Sequence, residues 1–197
     1  MKRIGTLAFI LLGTLTPAFS QKLMLTGGYV RVGEKSFTGA PTSGLHTIFP
    51  VGKHGISGVT IQAARNRQPF QEIISRPPGE NDRVITEYNN SLYSLQGFLA
   101  GRLMVAPHLE ATLGPSAGLY LLGAKERTDE LRLGLGLWSG LTYKQLGGGR
   151  FNLEALFHPR ALLPNVPVED ANFRFDGQWL FVWDAQLGIS YDLKRQP

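Results

Sequence analysis

Hydrophobic and polar positions alternate along this chain, most sharply near its end. From Gln178 to Leu193 (QWLFVWDAQLGISYDL) the odd positions Trp179, Phe181, Trp183, Ala185, Leu187, Ile189, Tyr191 and Leu193 are all apolar. The even positions are polar or small, apart from Leu180 and Val182. Successive side chains of a strand leave on opposite faces, so the stretch reads as one long strand with an oily and a wet side. At roughly 3.3 Å per residue it reaches about 50 Å, far beyond an ordinary strand. Something must cover the oily side.

The same pattern recurs upstream. From His108 to Gly123, Leu109, Ala111, Leu113, Pro115, Ala117, Leu119 and Leu121 oppose His108, Glu110, Thr112, Gly114, Ser116, Gly118 and Tyr120. From Glu130 to Lys144, Leu131, Leu133, Leu135, Leu137, Leu141 and Tyr143 oppose Glu130, Arg132, Gly134, Gly136, Gly140, Thr142 and Lys144. Phe151, Leu153, Ala155 and Phe157 alternate with Arg150, Asn152, Glu154 and His158, and Val84 to Met104 alternates through Tyr93, Leu95, Leu99 and Leu103. Weaker patterns predict strands over Leu23–Val32, whose faces are not sharply distinguished, Gly44–Phe49 and Ile56–Ala64. That makes eight strands, with no competing helical period. Connections at 50–55, 105–107 and 146–149 are short, whereas those at 33–42, 65–83, 124–129 and 159–177 are longer. Such alternation describes an up-and-down meander with one tight rim and one loopy rim.

Side-chain size decides which face is inside. An eight-stranded barrel has an interior just wide enough to be filled by side chains. Leucine at nearly every alternate position, with Trp179, Phe181 and Trp183, would overfill it. Gly114, Gly118, Gly134, Gly136, Gly140 and Gly188 all fall on the polar face, where crowding near the axis is relieved. The oily face therefore points outward. That arrangement is stable in lipid, where a closed barrel leaves no unpaired edge. The expected fold is all-β, an eight-stranded antiparallel up-and-down transmembrane β-barrel. Tyr143, Trp179, Phe181, Trp183 and Tyr191 are its expected lipid-facing and interface aromatics, since amphipathic rings favour the membrane interfaces.

The first twenty residues change the picture by supplying a compartment. Lys2 and Arg3 precede the apolar stretch Ile4–Leu15, then Pro17 and the small-residue site Ala18-Phe19-Ser20. Residues 1–20 read as a cleavable secretory signal, too short in its apolar run to span a membrane as a helix, leaving 21–197 as the barrel domain. The formal net charge of +5 falls to +3 without Lys2 and Arg3, and the remaining cations are scattered, so nucleic acid is not an expected partner. Cysteine is absent, which excludes a disulfide-stapled scaffold.

The segments Leu109-Glu-Ala-Thr-Leu-Gly-Pro-Ser-Ala-Gly-Leu-Tyr-Leu-Leu122, Leu133-Gly-Leu-Gly-Leu137, Arg150-Phe-Asn-Leu-Glu-Ala-Leu156 and Ala185-Gln-Leu-Gly-Ile-Ser-Tyr191 carry a resemblance. The chain resembles the small outer-membrane β-barrel proteins of Gram-negative bacteria, in particular the barrel-domain family common in the Bacteroidetes. The resemblance covers roughly residues 91–193 and the first half by layout. It implies location in the cell outer membrane, with outer-membrane lipid and the assembly machinery as partners. One departure is the end of the chain: such barrels commonly finish on an aromatic residue, whereas this one continues to Lys194-Arg-Gln-Pro197.

Candidate chemistry sits on the wet face. Arg102, Glu110, Arg132, Arg150, Glu154 and Asp184, with Lys144, are expected to form an ion-paired cluster plugging the lumen, because buried charges must be paired or hydrated. Glu110 and Glu154 are expected within reach of Arg102, Arg132 or Arg150. Two further readings stay open. A lipid-modifying outer-membrane enzyme would draw on His46, His54, His108 or His158 with Ser116, Ser139 or Glu110, although no nucleophile motif stands out. A soluble periplasmic β-barrel binding an apolar ligand is the other. No metal cluster, phosphate loop or cofactor motif is present in the sequence. His108 and His158 are expected to face the lumen near the rims. The loops at 65–83 and 159–177 are where an extracellular ligand would be met, the first being basic through Arg65, Arg67, Arg76 and Arg83.

Overall fold

The computed structural model describes residues 22–33, 39–75, 81–124, 127–146, 149–164 and 179–193. The expected signal segment 1–20, Gly147-Gly148 of the glycine turn and the basic end Lys194–Pro197 lie outside these residues. Eight strands are present: β1 (Lys22–Val32), β2 (Ala40–Val51), β3 (Gly55–Ser75), β4 (Asn81–Ala106), β5 (Leu109–Ala124), β6 (Arg127–Tyr143), β7 (Phe151–Leu162) and β8 (Leu180–Asp192). They form one closed antiparallel barrel in chain order. The last strand closes it on the first, from Lys22↔Asp192 to Val32↔Val182. Two-residue alternation along each strand sends every second side chain into the barrel, and closure leaves the wall without an edge.

The oily faces point outward. Leu135 is 57% exposed, Leu187 73% and Trp179 52%, and the other leucines of the alternating stretches share that face. A soluble periplasmic barrel would bury these residues, so the outward leucine face is that of a barrel built to face lipid. Introducing arginine at Leu135, near the middle of β6, is expected to cost about 2–4 kcal/mol in a bilayer, the penalty for a charge near the midplane of a barrel's lipid face. Urea titration of the vesicle-inserted protein measures it, and a cost below about 0.5 kcal/mol would place Leu135 in water.

Several strands outrun their sequence patterns. The stretch expected as the loop 65–83 is largely paired: β3 continues to Ser75 and β4 begins at Asn81, in register from Arg65↔Ser91 to Ser75↔Asn81. These rungs extend past the last pairings with the neighbouring strands, Thr42↔Ala64 and Ser91↔Gly123. A hairpin clear of the wall needs no oily face, so the periodic signal vanishes while the backbone ladder continues. The loop expected at 159–177 begins later, because β7 runs through Pro159 to Leu162. Pro159 has no N–H to donate, and the β6–β7 ladder lapses opposite it, between Gly136↔Arg160 and Ser139↔Phe157. The β4–β5 ladder lapses in the same way at Pro115.

Candidate functional site: the filled lumen and its vestibule

The interior is layered along the barrel axis, a correction to a uniformly polar lumen. At the loopy rim lies an apolar layer of Val30, Val32, Ala40, Ala64, Leu92, Tyr120, Leu162, Leu180 and Val182. Leu180 and Val182, the exceptions on the wet face of the last strand, are therefore lumen residues packing this layer. Toward the tight-turn rim lies a second apolar layer of Met24, Ile48, Ile56, Phe98, Ala100, Trp138 and Leu156. Inward glycines make room for these rings. A Cβ on Gly58 would stand 2.5 Å from the Phe98 ring, and one on Gly134 would stand 2.6 Å from Leu162 and overlap the Tyr120 ring.

Between the two apolar layers runs a connected polar layer. Asp184 and Arg160 form an ion pair with both side chains fully buried. Gln62 donates to Asp184 Oδ2 at 3.0 Å, Gln186 donates to its Oδ1 at 3.0 Å, and Arg160 also donates to Gln62 Oε1 at 2.9 Å. Gln96 donates to Gln62 Oε1 at 3.2 Å and to Ser94 at 2.6 Å. One step further, His46 sits between Thr26 at 2.8 Å and Thr60 at 2.9 Å, and the Thr26 hydroxyl also donates to Gln186. Trp138 caps the layer. It stacks on Phe98 with centroids 4.0 Å apart and meets His46 and His158 edge-on at 5.4 and 5.6 Å.

Beyond Trp138, at the rim of tight turns, the lumen opens into a vestibule of about 280 Å³. Its walls carry two ion pairs, Lys144–Glu110 at 2.6 Å and Lys22–Glu154 at 2.5 Å. Glu154 also accepts from Thr142 at 2.6 Å and from Ser190 at 2.5 Å. Asn152 donates to Ser190 at 3.2 Å and to Asp192 at 3.1 Å, and accepts from the Gln145 backbone at 3.0 Å. Trp138, Met24, Ile48, Ile56 and Leu156 form the apolar floor.

The six charges expected as one cluster are thus distributed. Glu110, Glu154, Arg102 and Arg150 line the vestibule, whereas Asp184 is in the central polar layer and the buried Arg132 stands on β6 toward the loopy rim. The cations beside Glu110 and Glu154 are Lys144 and Lys22, in place of the expected arginines. Arg102 instead donates to the Lys53 carbonyl at 3.2 and 3.0 Å, holding the β2–β3 turn. Sequence reasoning missed Arg160, because it falls in the stretch 159–177 that was expected as a loop, whereas β7 continues to Leu162. Continuing the alternation Leu156, His158, Arg160, Leu162 would have found it. Trp138 was missed too, although it occupies an even position among the inward glycines of β6.

Of the outward aromatics, Tyr143, Phe181, Trp179 and Trp183 are exposed and Tyr191 is half-buried against Phe151, with ring centroids 5.1 Å apart. Each of the two histidines expected to face the lumen near a rim meets half of that expectation. His158 is deep in the lumen, and His108 sits exposed in the β4–β5 turn with its ring 6.3 Å from Tyr143. The structure does pair Ser116 with His158 at 2.7 Å. Both are buried, and among the described residues no carboxylate hydrogen-bonds to that histidine to complete a nucleophile-activating triad. Ser139 faces outward and donates to the Phe157 carbonyl at 2.5 Å. Among the described residues, no group of acidic, histidine or cysteine side chains could hold a metal ion.

Comparison with solved structures agrees with this architecture. Neisserial surface protein A superposes with a TM-score of 0.61 at 11% identity, over 87% of this chain and 96% of that one. The likeness is one of fold. OprG of Pseudomonas aeruginosa (TM-score 0.44, 12% identity, 87% of this chain and 95% of that one) is also similar. So is Ail, the attachment invasion locus protein of Yersinia pestis (0.41, 15%, 87% and 99%). No protein-family model matches the chain, and no curated protein does.

Proposed function

We propose that this chain is an integral protein of a bacterial outer membrane, exported through the signal at residues 1–20. Its filled barrel serves a structural or surface-binding role through the loopy rim. The observation that carries this reading is the pairing of an outward leucine face with an interior closed by two apolar layers around the Arg160–Asp184 network. A sealed lumen leaves no water path for transport, and the buried Ser116–His158 pair has no access for a lipid ester. Binding then falls to the segments of the loopy rim, where the β3–β4 hairpin stands clear of the wall. Outer-membrane lipid and the assembly machinery are the partners that follow from location. The narrower resemblance to the Bacteroidetes-type family rests on motifs that record barrel geometry and adds no activity to this reading.

Expected results are co-sedimentation with outer membranes, faster migration on gels before heating than after, and no steady conductance in a planar bilayer. Recovery in the soluble periplasmic fraction would overturn the location, and reproducible single-channel steps would overturn the sealed lumen. Unchanged lipid A after deletion of the gene is the expected result against acyl-transfer or hydrolase activity.

A further inference from the structure

We propose that the vestibule at the tight-turn rim is a binding site for a small organic anion, a carboxylate or phosphate head on an apolar body. Arg102 and Arg150 receive the head, and the body rests on the floor formed by Trp138, Met24 and Leu156.

The charges of the vestibule point this way. Its cations are Lys22, Arg102, Lys144 and Arg150, against the anions Glu110, Glu154 and Asp192, leaving one net positive charge. Each inward glutamate already has its own lysine, Glu110 with Lys144 and Glu154 with Lys22. The two arginines are left over. Among the described residues neither guanidinium is paired with a carboxylate, and Arg102 uses Nε and one terminal nitrogen on the Lys53 carbonyl. A guanidinium carries five N–H donors in a fork that fits the paired oxygens of a carboxylate or phosphate.

The floor supplies the other half of the recognition. Trp138 is pinned by its stack on Phe98, and together with Met24, Ile48, Ile56 and Leu156 it closes the cavity below a charged mouth. A cavity of about 280 Å³ is at the small end for ligand sites, which suits a short chain or single ring and not a whole lipid. A free inorganic anion would leave the floor uncovered, and a neutral alcohol would leave the arginines unanswered. In outer-membrane barrels the short turns face the periplasm, so the site opens to periplasmic metabolites. That side assignment rests on the proposed location; the site itself does not.

The chain has three tryptophans, and their placement makes the test internal. Trp138 floors the vestibule, while Trp179 and Trp183 face outward. The full barrel in zwitterionic lipid nanodiscs is titrated with octanoate while the three indole N–H resonances are followed by NMR. The expected result is a saturable shift of Trp138, with acetate and octanol each at least tenfold weaker. Octyl phosphate in place of octanoate tells which head the arginines prefer. Arg102→Gln with Arg150→Gln should weaken octanoate at least tenfold. Arg150→Gln alone should weaken it at least threefold and guards against misfolding of the double variant. Arg150 is exposed, its side chain makes no hydrogen bond or ion pair among the described residues, and the substitution keeps its backbone bond from Asp192. Shifts confined to Trp179 and Trp183 would mean partition into the bilayer and would overturn the proposal. So would a Trp138 shift that is absent, or one of unchanged affinity in both variants. None of these outcomes bears on the membrane location, which fractionation tests separately.

Discussion

Replacing Asp184 with alanine is expected to destabilise the barrel by about 3–5 kcal/mol, because it strands the Arg160 guanidinium in a fully buried layer. Gln62 and Gln186 would keep their amides but lose the carboxylate that both address. Arg160→Ala should cost a similar amount, leaving a carboxylate with amide donors only. The informative partner is the double variant Asp184→Leu with Arg160→Met. Removing both charges together avoids the uncompensated ion, and replacing a buried pair by apolar side chains is often neutral or stabilising. The double variant should therefore recover most of what either single variant loses. Urea titration of vesicle-inserted protein, read by the gel shift between folded and unfolded forms, gives the three values. An Asp184→Ala cost below about 1 kcal/mol would show that water reaches this layer.

Truncating Trp138 to alanine is the second large effect, at about 3–5 kcal/mol for an aromatic core residue. Trp138 is 2% exposed and joins three rings: it stacks on Phe98 and stands edge-on to His46 and His158. Its loss would leave a cavity between vestibule and polar layer that the rigid wall cannot close. Trp183→Ala is the control, because that ring is outward and 39% exposed, touching Phe157 at a centroid distance of 6.5 Å. The same unfolding assay should rank Trp138→Ala well above Trp183→Ala. Equal costs would mean that the inner aromatic layer is not a packed core.

Much of the architecture was legible in the chain. Period-two alternation named the strands of the second half but not the length of every connection. Those expected at 65–83 and 124–129 shrink, because β3 runs to Ser75 and β4 from Asn81, and β5 runs to Ala124 and β6 from Arg127. The position of the small residues placed the oily face outside, because Gly134, Gly136 and Gly140 would be wasted facing lipid and are needed inside, where a Cβ would crowd the Tyr120 ring, the Arg160 stem and the Leu156 side chain respectively. Where both faces carry apolar residues the pattern blurs. In β1, Met24, Val30 and Val32 pack inside while Leu25 and Tyr29 face out, so alternation had little to show. Where neither face must be oily, as in the β3–β4 hairpin beyond Ala64, the pattern says nothing about pairing.

The chain by itself determined which side chains point in, since a strand's geometry makes that a local property. Which inward side chains touch was decided by the closed barrel, because register and stagger bring together residues far apart in sequence. Arg160 reaches Asp184 and Gln62 only through the β7–β8 pairing and the barrel's width. Glu154 finds Lys22 because β8 closes on β1, carrying the start of the barrel beside its end. The long strand at 180–192 needed a cover for its oily face, and alternation with residue size named lipid. The layered interior behind it, and the two arginines left over at its mouth, came from tertiary packing alone.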